Sequence, residues 1–196
     1  TVAESILVSG AVPGIKVDTG AKVLANSVEE KITEGLDGLR ERLKKYYEKG
    51  ARFTKWRGVY NIGEKYPSKI AITSNAHALA RYSALVQECG MVPIVEPEVL
   101  MDGEHSADDC LIKTSEVIEK CFEELLIHKI DLTGVILKPN MILAGNKSKD
   151  KISGEEVCSK TLECLKKSVP NEVPGIAFLS GGQSEVEATE NLNLIN

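Results

Sequence analysis

Val135-Ile136-Leu137-Lys138-Pro139-Asn140 is an apolar run that ends on a single lysine. Pro139 has no backbone N–H to donate and steers Lys138 away from helical backbone, so the run reads as a buried strand stopping at a rim. Lys138 therefore stands where core meets cavity. A lysine so placed either lays its stem on apolar surface with its ammonium in water or, desolvated and crowded by cations, offers a free amine to carbonyls. The run alone fits both readings, and the rest of the chain has to decide between them.

Working outward, four more strands are predicted. In residues 13–18, period-two alternation puts Lys16 and Asp18 on one face. Residues 52–58 place Phe53, Lys55 and Arg57 on one face and Thr54 and Trp56 on the other. Residues 91–99 carry Ile94, Glu96 and Glu98 together, and residues 175–179 deliver the turn Ser180-Gly181-Gly182. The end residues Lys16, Lys55, Glu96, Lys138 and Ser180 follow one another at intervals of 39, 41, 42 and 42 residues.

Helical patterns fill the intervals. One spans residues 37–49 and stops at Gly50, with Leu36, Leu39 and Leu43 on one face; a second is capped by Ser74 and runs to Cys89 before Gly90. A third opens at Ser106 and reaches about Lys129, and capping boxes at Ser153–Glu156 and Ser184–Glu187 open two more. Residues 19–36 read as a polar loop. A repeated strand and crossover helix of this length predicts an α/β fold, a (β/α)8 TIM barrel whose site gathers residues from several strand ends at one rim. An open doubly wound sheet is the alternative, but its site would sit at one switch point. Eight units at this period need about 330 residues, so the chain is expected to hold five of them and to be part of a single barrel domain with N-terminal and C-terminal units absent. Thr1 is no initiator methionine and the last helical pattern is still running at Asn196, which adds to the expectation of a fragment.

Composition narrows the function. The 196 residues carry net charge -5 with 42% hydrophobic residues, enough for a sizeable core. A soluble, cytoplasmic chain is expected: no apolar run nears the roughly 20 residues of a membrane span, and the first residues lack a signal-peptide pattern. Mild acidity and the want of a basic stripe with aromatics argue against nucleic acid. The five cysteines, an odd number, read as reduced thiols. His77, His105 and His128 lie at no strand end and form no HxxH or HxxxH pair, so they read as surface or packing residues with no metal implied.

The rim, by contrast, is rich. Lys16, Lys55, Arg57 and Lys138 face Asp18, Glu96 and Glu98, and seven inward charges are too many for a core in which each unpaired one costs several kcal/mol. Crowded cations favour a free amine on one lysine, and Lys138 is the natural choice for attack on a ketone to give an iminium, an electron sink. Glu96 is placed to move protons, with Glu98 holding a neighbouring lysine. The Ser180-Gly181-Gly182 turn before a helix supplies backbone N–H groups for phosphate.

Gly14-Ile15-Lys16-Val17-Asp18, Lys55-Trp56-Arg57, Val95-Glu96-Pro97-Glu98, Leu137-Lys138-Pro139-Asn140-Met141 and Leu179-Ser180-Gly181-Gly182-Gln183-Ser184 resemble class I fructose-bisphosphate aldolase in order and spacing, across essentially the whole chain. The resemblance implies family strands 3 to 7 of the barrel and reversible cleavage of fructose 1,6-bisphosphate to dihydroxyacetone phosphate and glyceraldehyde 3-phosphate. It implies Lys138 as the Schiff-base lysine, Glu96 as acid/base, Lys55 as an aid to bond cleavage and Lys16 and Glu98 as site charges. Arg57 is implied at the aldehyde-side phosphate, and Ser180, Gly181 and Gly182 at the ketone-side phosphate. No metal or cofactor is implied. A homotetramer, and actin or acidic adhesin tails as partners of the cationic mouth, are also implied; a scaffold role is the alternative function.

Overall fold

The computed structural model describes residues 1–27 and 29–196. The chain forms α1 (Val2–Val8), β1 (Gly14–Lys16), the hairpin strands β2 (Gly20–Val23) and β3 (Lys31–Glu34), and α2 (Leu39–Glu48). It continues through β4 (Phe53–Tyr60), α3 (Lys69–Glu88), β5 (Val92–Val99) and α4 (Ala107–Ile127). A short 3₁₀ turn then leads to β6 (Ile136–Leu137), α5 (Gly154–Ser168), β7 (Gly175–Ile176) and α6 (Glu185–Ile195).

Strand β4 shows the layering. Thr54, Trp56 and Tyr60 are buried on the helix-facing side, while Phe53, Lys55, Arg57 and Val59 are half-buried on the other, as the alternation predicts. On the buried side Trp56 packs on Tyr82 of α3 with ring centroids 5.4 Å apart, and the Thr54 and Tyr82 hydroxyls lie 2.7 Å from each other. That contact locks helix to sheet. Leu79, Val95, Ile118 and Leu137 continue the same core between the sheet and its helices.

Strands β1, β4, β5, β6 and β7 make one sheet in that order, every pair parallel. Each crossover thus advances one strand in the same direction. A doubly wound sheet would reverse at a switch point; unbroken sequential order is that of a (β/α)8 barrel segment, and the chain holds five consecutive units of it. Where β1 meets β4, Phe53 lies across Gly14 so closely that a Cβ there would fall 2.2 Å from the ring, which explains the glycine.

Three expectations about the fold need correction, and one helix is new. The segment 19–36 is not a plain loop: β2 and β3 pair as an antiparallel hairpin, held to the barrel by Thr33, whose N–H donates to Asn75 Oδ1 (3.1 Å) and whose hydroxyl donates to the Arg57 carbonyl (2.6 Å). Helix α3 begins at Lys69 with Ser68, not Ser74, as its N-cap, and the buried Glu30 accepts both the Ser68 N–H and hydroxyl at 2.6 Å. Strand β7 ends at Ile176 and not at Leu179. Helix α1, with a Thr1–Glu4 capping box and no buried residue, had no counterpart in the reading of the sequence. No helix among the described residues is long and apolar enough to cross a membrane.

Candidate active site

The sheet register places the rim charges. Arg57 lies opposite Glu96 and Lys55 opposite Ile94, yet each cation reaches the carboxylate two residues further along β5. Lys55 Nζ is 2.5 Å from Glu96 Oε2, and Arg57 Nε donates to Glu98 Oε2. Residues two apart on a strand share a face, so one diagonal offset sets both pairs. Glu98, expected to hold a neighbouring lysine, is held by an arginine for this reason. The hydrogen bond from Arg57 to Glu98 raises the guanidinium above its already high value, so the charge there is permanent.

From the other side, the Lys138 N–H donates to the Val95 carbonyl (2.8 Å), seating Lys138 beside Glu96. Its Nζ donates to Glu96 Oε1 at 2.6 Å. Glu96 is only 3% exposed and is thus flanked by two ammonium groups, one on each oxygen. The Lys55 contact has the distance of an ion pair without hydrogen-bond geometry, which leaves Oε2 free of a directed donor. Burying a carboxylate costs several kcal/mol, and paired cations offset that cost only when well placed. A carboxylate between two lysines at a half-open rim can carry charge and exchange a proton with either amine.

The third cluster is Lys16 Nζ, 2.6 Å from the buried Asp18 Oδ1. Asp18 also accepts the Gly20 N–H (3.1 Å), and Arg42 of α2 donates to the Val17 carbonyl (2.9 Å), bracing the end of β1 from behind. Neither Arg42 nor Asn140 stood out in the sequence. Asn140 Oδ1 accepts the Val99 N–H (2.9 Å) and its amide donates to Thr114 Oγ1 (3.1 Å), tying β5, the end of β6 and α4 together. The only sequence signal was a polar residue after Pro139 in an apolar run.

The Ser180–Gly182 turn reaches the same rim. Gly181 and Gly182 adopt left-handed φ of 61° and 83°, and with Arg57, Glu98, Met101 and Asn146 they line a cleft of about 270 Å³. Among the described residues their N–H groups make no hydrogen bond. Ser180 itself is exposed at the edge of this turn. At the start of α6, Glu187 Oε2 accepts the Ser184 N–H (2.9 Å) in a capping box. The anion-ready groups are the turn's own amides.

All five cysteines are free, and burial pushes the Cys121 thiol up to about 12 and the Cys164 thiol up to about 11.

A family model described as fructose-bisphosphate aldolase class-I matches residues 1–196. The chain is 51% identical to the cytosolic fructose-bisphosphate aldolase 4 of Arabidopsis thaliana over 188 residues, covering 96% of this chain and 48% of that one. It is 52% identical over 184 residues to a probable class 1 fructose-bisphosphate aldolase of Xanthomonas campestris, covering 94% of this chain and 55% of the relative. A solved aldolase of Plasmodium falciparum, in complex with TRAP and a small molecule inhibitor, superposes with a TM-score of 0.96 at 44% identity, over 98% of this chain and 56% of that chain. The chain spans about half the length of the curated relatives it matches. With Lys55 and Lys138 meeting on Glu96 at neighbouring strand ends, and the family model covering every residue, this chain belongs to the class I fructose-bisphosphate aldolase family.

Proposed function

We propose that this chain carries the cleavage centre of an enzyme that reversibly splits fructose 1,6-bisphosphate into dihydroxyacetone phosphate and glyceraldehyde 3-phosphate, and that residues 1–196 are part of a single barrel domain. The observation that carries the reading is the 2.6 Å contact between Lys138 Nζ and the buried Glu96 Oε1. Passing a proton across it leaves a neutral amine next to a neutral acid. The amine attacks the C2 ketone, and loss of water gives an iminium. Glu96, ionised again once its proton has gone to the departing water, takes the proton of the C4 hydroxyl. The C3–C4 bond then breaks, the aldehyde leaves, and the bonding electrons flow into the iminium to give an enamine. Protonation of the enamine carbon and hydrolysis release the ketone and restore Lys138.

Lys55, on the other oxygen of Glu96, keeps a positive charge over the reacting centre. Lys16, half-exposed, and Arg57 are the cations available to the aldehyde-side phosphate, and the Gly181 and Gly182 amides suit the ketone-side phosphate. The test is borohydride trapping with dihydroxyacetone phosphate in the full-length protein, followed by peptide mapping. The expected result is one reduced adduct on Lys138; an adduct on any other lysine overturns the assignment.

Gly182 gives a second handle. At its φ of 83°, an added Cβ would sit 2.3 Å from Met101 Sδ. Met101 can swing aside, but alanine is strained at this left-handed φ by about 1–2 kcal/mol, so Gly182→Ala should loosen the turn and raise the KM for fructose 1,6-bisphosphate about tenfold with kcat less affected. An unchanged KM would place the phosphate elsewhere.

The Arabidopsis relative is named cytosolic, which supports a cytoplasmic address. The solved Plasmodium aldolase is in complex with TRAP, which supports partner binding as the second reading. Here each rim cation already has a carboxylate partner, so an acidic tail meets less free positive charge than the four cations alone suggest. Catalysis is accordingly the favoured reading.

A further inference from the structure

Two of the three histidines meet away from the rim. His77, on the exposed side of α3, has its Nδ1 3.1 Å from Glu124 Oε2 of α4. His128, the residue that ends α4, follows Glu124 by one helical turn and lies with its ring edge-to-face on His77, centroids 4.9 Å apart. One ligand atom from each of the three residues falls within 4.8 Å of the other two. His128 is already oriented, since its Nδ1 is 2.9 Å from the Glu124 carbonyl oxygen.

We infer that His77, Glu124 and His128 form a binding site for a divalent transition cation of the zinc type, bridging α3 and α4 on the outer wall of the barrel. Two imidazoles and one carboxylate are a donor set that suits zinc and its neighbours, not calcium or magnesium, and leaves a fourth position for water. Ligand atoms about 2.1 Å from a tetrahedral metal stand about 3.4 Å apart, so the three atoms, now within 4.8 Å of one another, need to close by no more than about 1.4 Å, within reach of side-chain rotation. Lys120, with Nζ 3.2 Å from Glu124 Oε1, is the one cation on this carboxylate among the described residues, and it opposes the metal. The site shares no residue with the cleavage centre and stands whether or not the proposed reaction is correct.

Zinc titration of the full-length protein in competition with a chromophoric chelator tests this. The expected result is one saturable site that weakens at least about tenfold in His77→Ala and in His128→Ala, and tightens in Lys120→Ala, with the cleavage rate of each variant unchanged. Zinc should also raise the Tm of the wild type in a concentration-dependent way and fail to do so in His77→Ala, whose exposed side chain is not needed for folding. Absence of saturable binding overturns the site, as does binding that survives both histidine substitutions, which would assign the cation to the half-buried thiols Cys89 and Cys158 or elsewhere.

Discussion

Lys138→Met in the full-length protein is expected to abolish cleavage, with turnover falling by at least about 10⁴-fold, while the protein keeps its fold. The chemical reason is that no other amine at the rim is placed to replace it: Lys55 approaches the same carboxylate from β4, on the opposite oxygen. Lys16 is turned to Asp18. The structural reason is that methionine fills the volume of the lysine stem, and the side chain it replaces is about a third exposed. Glu96 keeps Lys55 as its counterion, so the stability change should stay within about 1 kcal/mol. Lys138→Arg separates charge from chemistry. A guanidinium preserves a cation beside Glu96 but stays protonated and forms no iminium, so it should be as inactive as methionine. The measurement is steady-state cleavage by the full-length variants together with their denaturation midpoints. Retained turnover in either variant, with normal stability, would remove Lys138 from the mechanism.

The strand ends were legible because two periods coincide there. Alternation assigned Lys55, Arg57, Glu96 and Glu98 to the correct faces, and the spacing near 41 residues showed that those faces return to one rim. Which cation meets which carboxylate was not legible, because the pairing follows from strand register and from one diagonal offset that a single strand does not encode. Hidden, too, was the β2–β3 hairpin, where Lys22, Lys31 and Glu34 mask the alternation and the stabilising contacts are Thr33 and Glu30 bonds to residues 24 to 42 positions away. Ser68 was missed as a cap because Ile70, Ile72 and Thr73 behind it are β-branched and weaken the helical signal. The histidines show no metal-pair spacing along the chain. His77 and His128 come together only through the packing of α3 on α4.

Glu96→Gln should lower turnover by about 10²- to 10⁴-fold and also destabilise the protein, a combination that Lys138→Met does not produce. Glutamine keeps the shape of the side chain but removes the one negative charge between two ammonium groups 2.5 and 2.6 Å away. Removing one member of a fully buried ion pair costs about 3–5 kcal/mol; the lysines here are 22% and 30% exposed, so solvent screening reduces the expected loss to about 1–3 kcal/mol. Glu98→Gln is the matched control, since Glu98 is nearly as buried but serves only Arg57, and its loss should cost less activity. Trapping then separates the two tasks assigned to Glu96. If its main role is to take the C4 hydroxyl proton, Glu96→Gln still yields a borohydride adduct at Lys138 with dihydroxyacetone phosphate while cleavage is slow. An equal fall in adduct formation and cleavage would mean that Glu96 is needed to free the Lys138 amine, and wild-type turnover in Glu96→Gln would show that the buried carboxylate does neither.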